Sequence, residues 1–300
     1  MFGRRADATR VRDLDLVRRF MPYLSPRRGD SLFYMMEEIE VDAALEYLVK
    51  RNLERPEDRP LTLFHLFLRA ISQAMELRSG VNRFVKGRKL WQRDGIYLTF
   101  SAKRELIDGS PLITIKRRFH PESESIEEMA DAIYAKLTAG RAGRKTTSDK
   151  ELKWMMLLPG IVIRTMMGGM RIVDELGLLP RRMIEADPLF TSAFLANLGS
   201  IHFGGGFHHL WEYGTASIFG VLGRIDRRPD GRRFIQVGWT YDERIADGMY
   251  AYFSLEGVRQ RIERPELLEK TTEELRTTRP TQESASAQRA EAERSSDGPA

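Results

Sequence analysis

Residues 241–250 read Tyr241-Asp242-Glu243-Arg244-Ile245-Ala246-Asp247-Gly248-Met249-Tyr250, directly after the strand-like run FIQVGWT at 234–240. Three carboxylates, an arginine and a glycine crowd into the exit from a strand. A solvated loop would account for the charges. A chemically active loop would account for them together with the Asp-Gly turn and the apolar helix that follows.

The rest of the chain narrows the choice. It has 300 residues, 42% of them hydrophobic and 30% charged, the balance of a globular protein with a sizeable core. There is no cysteine, which excludes a disulfide framework, a thiolate metal site and a cysteine nucleophile. The start MFGRRADATRVRD has no apolar signal core, so a cytoplasmic location is expected. The net charge is +5, and residues 1–30 carry eight arginines against four aspartates. No stacking-aromatic motif accompanies those arginines, so no nucleic-acid partner is expected. From about residue 272 the composition turns polar. Residues 272–300 are expected to be a disordered tail and 1–271 the folded domain.

Periodicity supplies the elements. Helices are expected over 9–21, from Asp42 to Asn52, from Thr62 to about 78, over 121–139 and over 249–263. Strands are expected at 31–40, 81–85, 89–93, 96–105, 111–119, 190–198, 215–225 and 232–241, with Asp94-Gly95 marking one hairpin. Residues 151–184 are unusual. The run from Trp154 to Ile163 is wholly apolar but only ten residues long, and Arg164 and Arg171 follow, so it is too short to span a bilayer. It reads as an apolar helical insertion kinked at Pro159-Gly160, packing on its own molecule or, as the lesser reading, docking on a membrane surface. Together these elements give an α+β two-layer sandwich, a mixed sheet covered by helices.

The segment Asp242-Glu243-Arg244-Ile245-Ala246-Asp247-Gly248, Ala196-Asn197-Leu198-Gly199 about fifty residues earlier, and the hairpin run VNRFVKGRKLWQRDGIYLTFSAK resemble the catalytic domain of the dihydrolipoamide acyltransferases of 2-oxo acid dehydrogenase complexes and the related chloramphenicol acetyltransferase. That resemblance implies acyl transfer from a coenzyme A thioester to a small-molecule acceptor. It implies a histidine base and a serine hydroxyl facing the oxyanion. It also implies a homotrimer with active sites at subunit boundaries, and an Asp247 held by an N-terminal arginine, Arg18 or Arg19. No lipoyl-bearing segment is read here, so a lipoyl group on this chain and the role of complex core subunit are not expected.

The chain departs from the pattern at both reacting positions. Glu243 stands where the histidine belongs, and Ala196 where the serine belongs, beside Asn197 and Gly199. Losing a placed base costs about 10²–10⁴ in rate, and losing an oxyanion donor about 10²–10³. Two replacements offer themselves. Glu243 could act as base if an apolar channel raised its pKa, or could simply pair with an arginine. His208-His209, behind the glycine triplet 204–206, could supply a base or an oxyanion donor. Neighbouring histidines on a strand point apart, so a zinc site with Glu243 is not expected. His65 reads as a helix-face histidine, and His120 and His202 carry no further signal. The triplet matches no nucleotide-binding loop. The two function classes left open are a divergent acyltransferase and a catalytically dead trimeric binding or scaffold protein. Both place Glu243 and Ala196 at a cavity shared across a subunit boundary.

Overall fold

A computed structural model describes residues 5–103, 112–141 and 154–277. Six strands form the main sheet: β2 (Leu32–Glu40), β5 (Ile96–Lys103), β6 (Leu112–Phe119), β7 (Ala193–Asn197), β8 (Ile218–Arg227) and β9 (Arg233–Asp242). Their order is β2-β9-β8-β7-β5-β6. β7 runs parallel to both β5 and β8, and the other pairs are antiparallel, so the sheet is mixed as expected. A small second sheet pairs β1 (Ala8–Arg10), β4 (Lys89–Arg93) and β3 (Arg83–Lys86) in the order β1-β4-β3.

Strand alternation divides the main sheet into two faces. One carries Ile39, Leu98, Phe100, Leu195, Ile218, Val237 and Trp239, and is covered by α2 (Asp42–Asn52), α3 (Leu63–Leu77), α4 (Ile126–Arg141) and α7 (Gly248–Glu263) in the principal core. The other carries Phe194, Phe219 and Val221, and is covered by Leu210 and Trp211 of the extended segment before β8. Two more helices, α5 (Gly160–Glu175) and α6 (Arg181–Ala186), fill the crossover to β7. The break at Pro159-Gly160 is where it was expected, and α5 begins there.

Two expectations are corrected. Residues 9–21 are not one helix. Ala8–Arg10 pairs with Trp91–Arg93, and α1 spans Leu16–Leu24, capped by the Asp15 carboxylate, which accepts the Arg18 N–H at 2.8 Å. Nothing local in the sequence announces that pairing. Second, order does not stop at 271. Thr272–Thr277 forms α8, with Leu275 buried. A reciprocal cap starts it: the Thr271 hydroxyl accepts from the Glu274 N–H, and the Glu274 carboxylate accepts from the Thr271 N–H at 2.6 Å. The remainder of the expected tail, 278–300, lies outside the described residues, as do 151–153 of the insertion.

Candidate functional site

A cavity of about 1150 Å³ opens around the C-terminal ends of β5 and β7. That is the size of a site for a cofactor-scale ligand. Its wall includes Phe100, Ala196, Asn197, Gly199, His208 and Phe219, and it is mostly apolar. The structure therefore brings three of the expected oxyanion-side residues and one of the expected histidines into a single cavity.

His208 reaches the cavity at the end of a strap that lies close against glycines of the sheet. Residues 203–207 cross the second sheet face in close backbone contact. A Cβ at Gly223 would lie 2.6 Å from the Gly205 nitrogen, and one at Gly238 would overlap the Gly206 carbonyl. The Arg224 N–H donates to the Phe203 carbonyl at 2.8 Å and fastens the start of this strap. Gly223 and Gly238 on the sheet and Gly205 on the strap thus allow the close approach, whereas a Cβ at Gly204 or Gly206 would meet open space. The strap delivers the His208 ring flat onto Phe219, with centroids 4.2 Å apart and planes at 13°, and beside Trp211 at 5.0 Å.

The His208 Nδ1 lies 2.7 Å from the His209 carbonyl oxygen. A carbonyl only accepts, so Nδ1 carries the proton and donates, which leaves Nε2 as an acceptor in the neutral ring. That is the tautomer a general base needs. His209 is exposed and outside the cavity lining. Its contribution is the carbonyl and a ring stacked on His208 at 4.5 Å.

Glu243 sits elsewhere. Ala196 pairs in register with Val221, which pairs with Gly238, and Glu243 lies five positions beyond Gly238, just past the end of β9. At about 3.3 Å per residue and about 4.8 Å per strand, the two residues are on the order of 20 Å apart within one chain. Glu243 is exposed, and its backbone is pinned on both sides: its N–H donates to the Ser31 carbonyl at 2.9 Å, and its carbonyl accepts from Arg18 Nη1 at 2.6 Å. The chain does not bring His208, His209 and Glu243 together, and among the described residues no three His, Asp or Glu side chains are placed to hold a metal ion.

The loop-holding pair is not the expected one. Asp247 is exposed and caps α7, its carboxylate accepting the Tyr250 N–H at 2.7 Å, and it makes no ion pair with Arg18 or Arg19. The acid that holds the loop is Asp242, which is fully buried. It accepts from Arg244 at 2.7 and 2.8 Å and from the Ser31 hydroxyl at 3.1 Å, and Arg28 lies 3.6 Å away. Arg28 in turn donates to the Trp211 carbonyl, tying the loop to the strap. Burial pushes the Arg28 guanidinium down, with Asp242 opposing. Arg18 keeps a part of its expected role through the Glu243 carbonyl. Among the described residues no hydrogen bond or ion pair joins Arg19 to the loop.

His65 lies on a helix, as expected. It is buried at the start of α3 in a capping box with Thr62, its Nδ1 accepting the Thr62 N–H at 3.2 Å, and burial holds its pKa down at about 4.

This architecture is a chloramphenicol acetyltransferase-like fold, with a large cavity at one end of the sheet. Among solved structures the chain is similar to a probable dihydrolipoamide acetyltransferase from Listeria monocytogenes 4b F2365 (TM-score 0.56, 16% identity, 85% of this chain and 94% of that one). It is also similar to a truncated catalytic core of the 2-oxoacid dehydrogenase multienzyme complex from Thermoplasma acidophilum (TM-score 0.54, 16% identity, 85% and 98%). A chloramphenicol acetyltransferase gives a TM-score of 0.52 at 12% identity, over 84% and 98% of the two chains. At such identities the likeness is one of fold. No protein-family model and no curated protein matches the chain. No helix among the described residues is long and apolar enough to cross a membrane.

Proposed function

We propose that this protein is a divergent acyltransferase that takes a coenzyme A thioester into the cavity beside β7 and passes the acyl group to a small-molecule acceptor. The observation that carries the reading is the placement of His208, in the base-competent tautomer, in the same cavity as Ala196, Asn197 and Gly199. His208 Nε2 takes the proton from the acceptor's nucleophile as that atom attacks the thioester carbonyl. It returns the proton to the departing thiolate when the tetrahedral intermediate collapses. Asn197 and the backbone at Gly199 are the candidate groups facing the oxyanion, since the Ala196 side chain carries no donor.

Glu243 has a different place in this proposal. Both sides of its peptide are held while its carboxylate points outward, which suits presentation to the neighbouring subunit of a homotrimer. There it would approach the partner's cavity as a second acid–base group. The competing reading is a trimeric binding or scaffold protein that retains the cavity without turnover.

Thiol release separates the two. The chain contains no cysteine, so free thiol appearing from acetyl- or longer acyl-coenzyme A reports turnover without background from the protein. Release that scales with protein and requires His208 supports the acyltransferase. Tight thioester binding with no release, with or without added acceptors, supports the scaffold.

A further inference from the structure

A second cavity, about 230 Å³, lies away from the β7 site, between α1, the β3–β4 turn and α5. Its lining carries six cations, Arg27, Arg28, Lys86, Arg88, Arg171 and Arg244, against two carboxylates, Glu175 and Glu212. Three of the acids in reach are paired with cations: Glu175 with Arg171 at 3.2 Å, Asp174 with Lys86 at 2.8 Å, and Asp242 with both Arg28 and Arg244. The fourth, Glu212, accepts the Gly29 N–H at 2.8 Å and offsets one positive charge. Arg27 and Arg88 have no carboxylate within ion-pair distance among the described residues. The Nε of Arg28, a residue only 2% exposed, has no hydrogen-bond partner there either. The cavity thus holds surplus positive charge in a polar pocket, which suits an oxyanion with several acceptor oxygens, such as a phosphate ester.

Its two banks are apolar and open. On α5 only Asp174 is buried, and the Asp174 pairs with Lys86 and Arg5 pin that end of the helix to the body. Positions 161, 162, 165, 169, 172, 173 and 176 fall on the outward side at helical spacing, and Ile161 (69%) and Ile172 (60%) are exposed there. Trp154 (74%) and Leu157 (75%) extend the apolar surface before Pro159. On the other bank, α1 exposes Leu16 (80%) and Phe20 (57%).

We propose that this face docks on anionic membrane surfaces, with a lipid phosphate in the basic cavity and the outward sides of α1 and α5 in the headgroup–acyl boundary. An apolar helix edged by arginines, too short to span, lies in that boundary. The charge selects this occupant over two-fold pairing with a second copy. Two-fold pairing of the face would set Arg27, Arg88 and Arg164 against their own images, whereas an anionic leaflet neutralises them.

The experiment is co-sedimentation of the full-length protein with vesicles of phosphatidylcholine alone or mixed with phosphatidylglycerol, at low and high salt. The expected result is capture by the anionic vesicles, little by the neutral ones, and release by salt. Arg27→Glu with Arg88→Glu should lower capture on the order of tenfold or more, since each reversal removes an attraction and adds a repulsion. Ile161→Asp with Ile172→Asp should do the same. Circular dichroism and Tm matching the native chain establish that both variants fold. Equal capture by neutral vesicles, or native capture by both variants, overturns the proposal. So does a change of oligomeric mass in the isoleucine variant with vesicle capture absent throughout, which assigns the face to a second copy. Binding of inorganic phosphate or coenzyme A at Arg27 and Arg88 with no vesicle capture overturns it too, leaving a site for a soluble phosphate.

Discussion

Asp242 and Arg244 form a bidentate ion pair two residues apart, at 2.7 and 2.8 Å, and the residue between them is Glu243. The pair is buried while Glu243 is exposed, so the loop is rigid below and presents one carboxylate above. Arg28 extends the pair to the Trp211 carbonyl, and thereby to the segment that carries His208.

Removing Asp242 leaves Arg28 and Arg244 buried without a counter-charge. Breaking a buried pair in this way costs about 3–5 kcal/mol. Asp242→Ala is expected to lose stability on that scale in urea unfolding, with Ser31→Ala losing about 1 kcal/mol. An Asp242→Ala variant as stable as the native chain would show that the cluster holds nothing.

The strap rests on glycine-to-backbone contact. Gly238→Ala places a methyl group against the Gly206 carbonyl. The strap must lift, and overpacking of this kind costs about 1–3 kcal/mol. The expected outcome is a lower Tm together with loss of His208-dependent thiol release. Retention of both would show that the strap is not held by this contact.

His65 gives a pH signature. Its folded pKa, about 4, lies below the ordinary histidine value, so between pH 6.5 and 4 the unfolded chain binds the extra proton. Stability from the neutral ring is complete above pH 6.5 and drains away as pH falls towards 4, by up to about 3 kcal/mol. Glu37, whose pKa burial raises to about 7, runs the other way between 4.5 and 7. Subtracting the unfolding free energy of His65→Asn from that of the native chain isolates the His65 slope. A flat difference from pH 7 to 4 would contradict it.

Ala196 lines the cavity at the place where the resemblance calls for a serine. Ala196→Ser restores a hydroxyl donor there, and turnover is expected to rise, with about 10²–10³ as the ceiling set by one oxyanion donor. His209→Ala keeps the carbonyl that orients His208 and is expected to change turnover by less than about tenfold. A rate lost equally in His208→Ala and His209→Ala would move the base assignment.

The sheet was legible because its signals are local. Alternation marks β8 and β9, Asp94-Gly95 marks the β4–β5 turn, and Asp247-Gly248 marks the start of α7. The site was legible only in part. Ala196, Asn197 and Gly199 line the β7 cavity together with His208, which was one of three candidates for the base. That Arg28, and not Arg18 or Arg19, answers the loop acid depends on residues more than two hundred positions apart, and the three arginine pairs near the start look alike in sequence. β1 was missed for the same reason, since its partner is residues 91–93. α8 carried a readable sign, Thr271 three residues before Glu274, outweighed by the polar composition that follows.

The decisive quantity is the single-turnover rate of thiol release from an acyl-coenzyme A by the native chain and by His208→Ala. A fall of about 10²–10⁴ at unchanged thioester affinity is expected if His208 moves the proton. Equal rates in the two proteins, or no release from either under conditions where the thioester binds, would contradict acyl transfer at the β7 cavity.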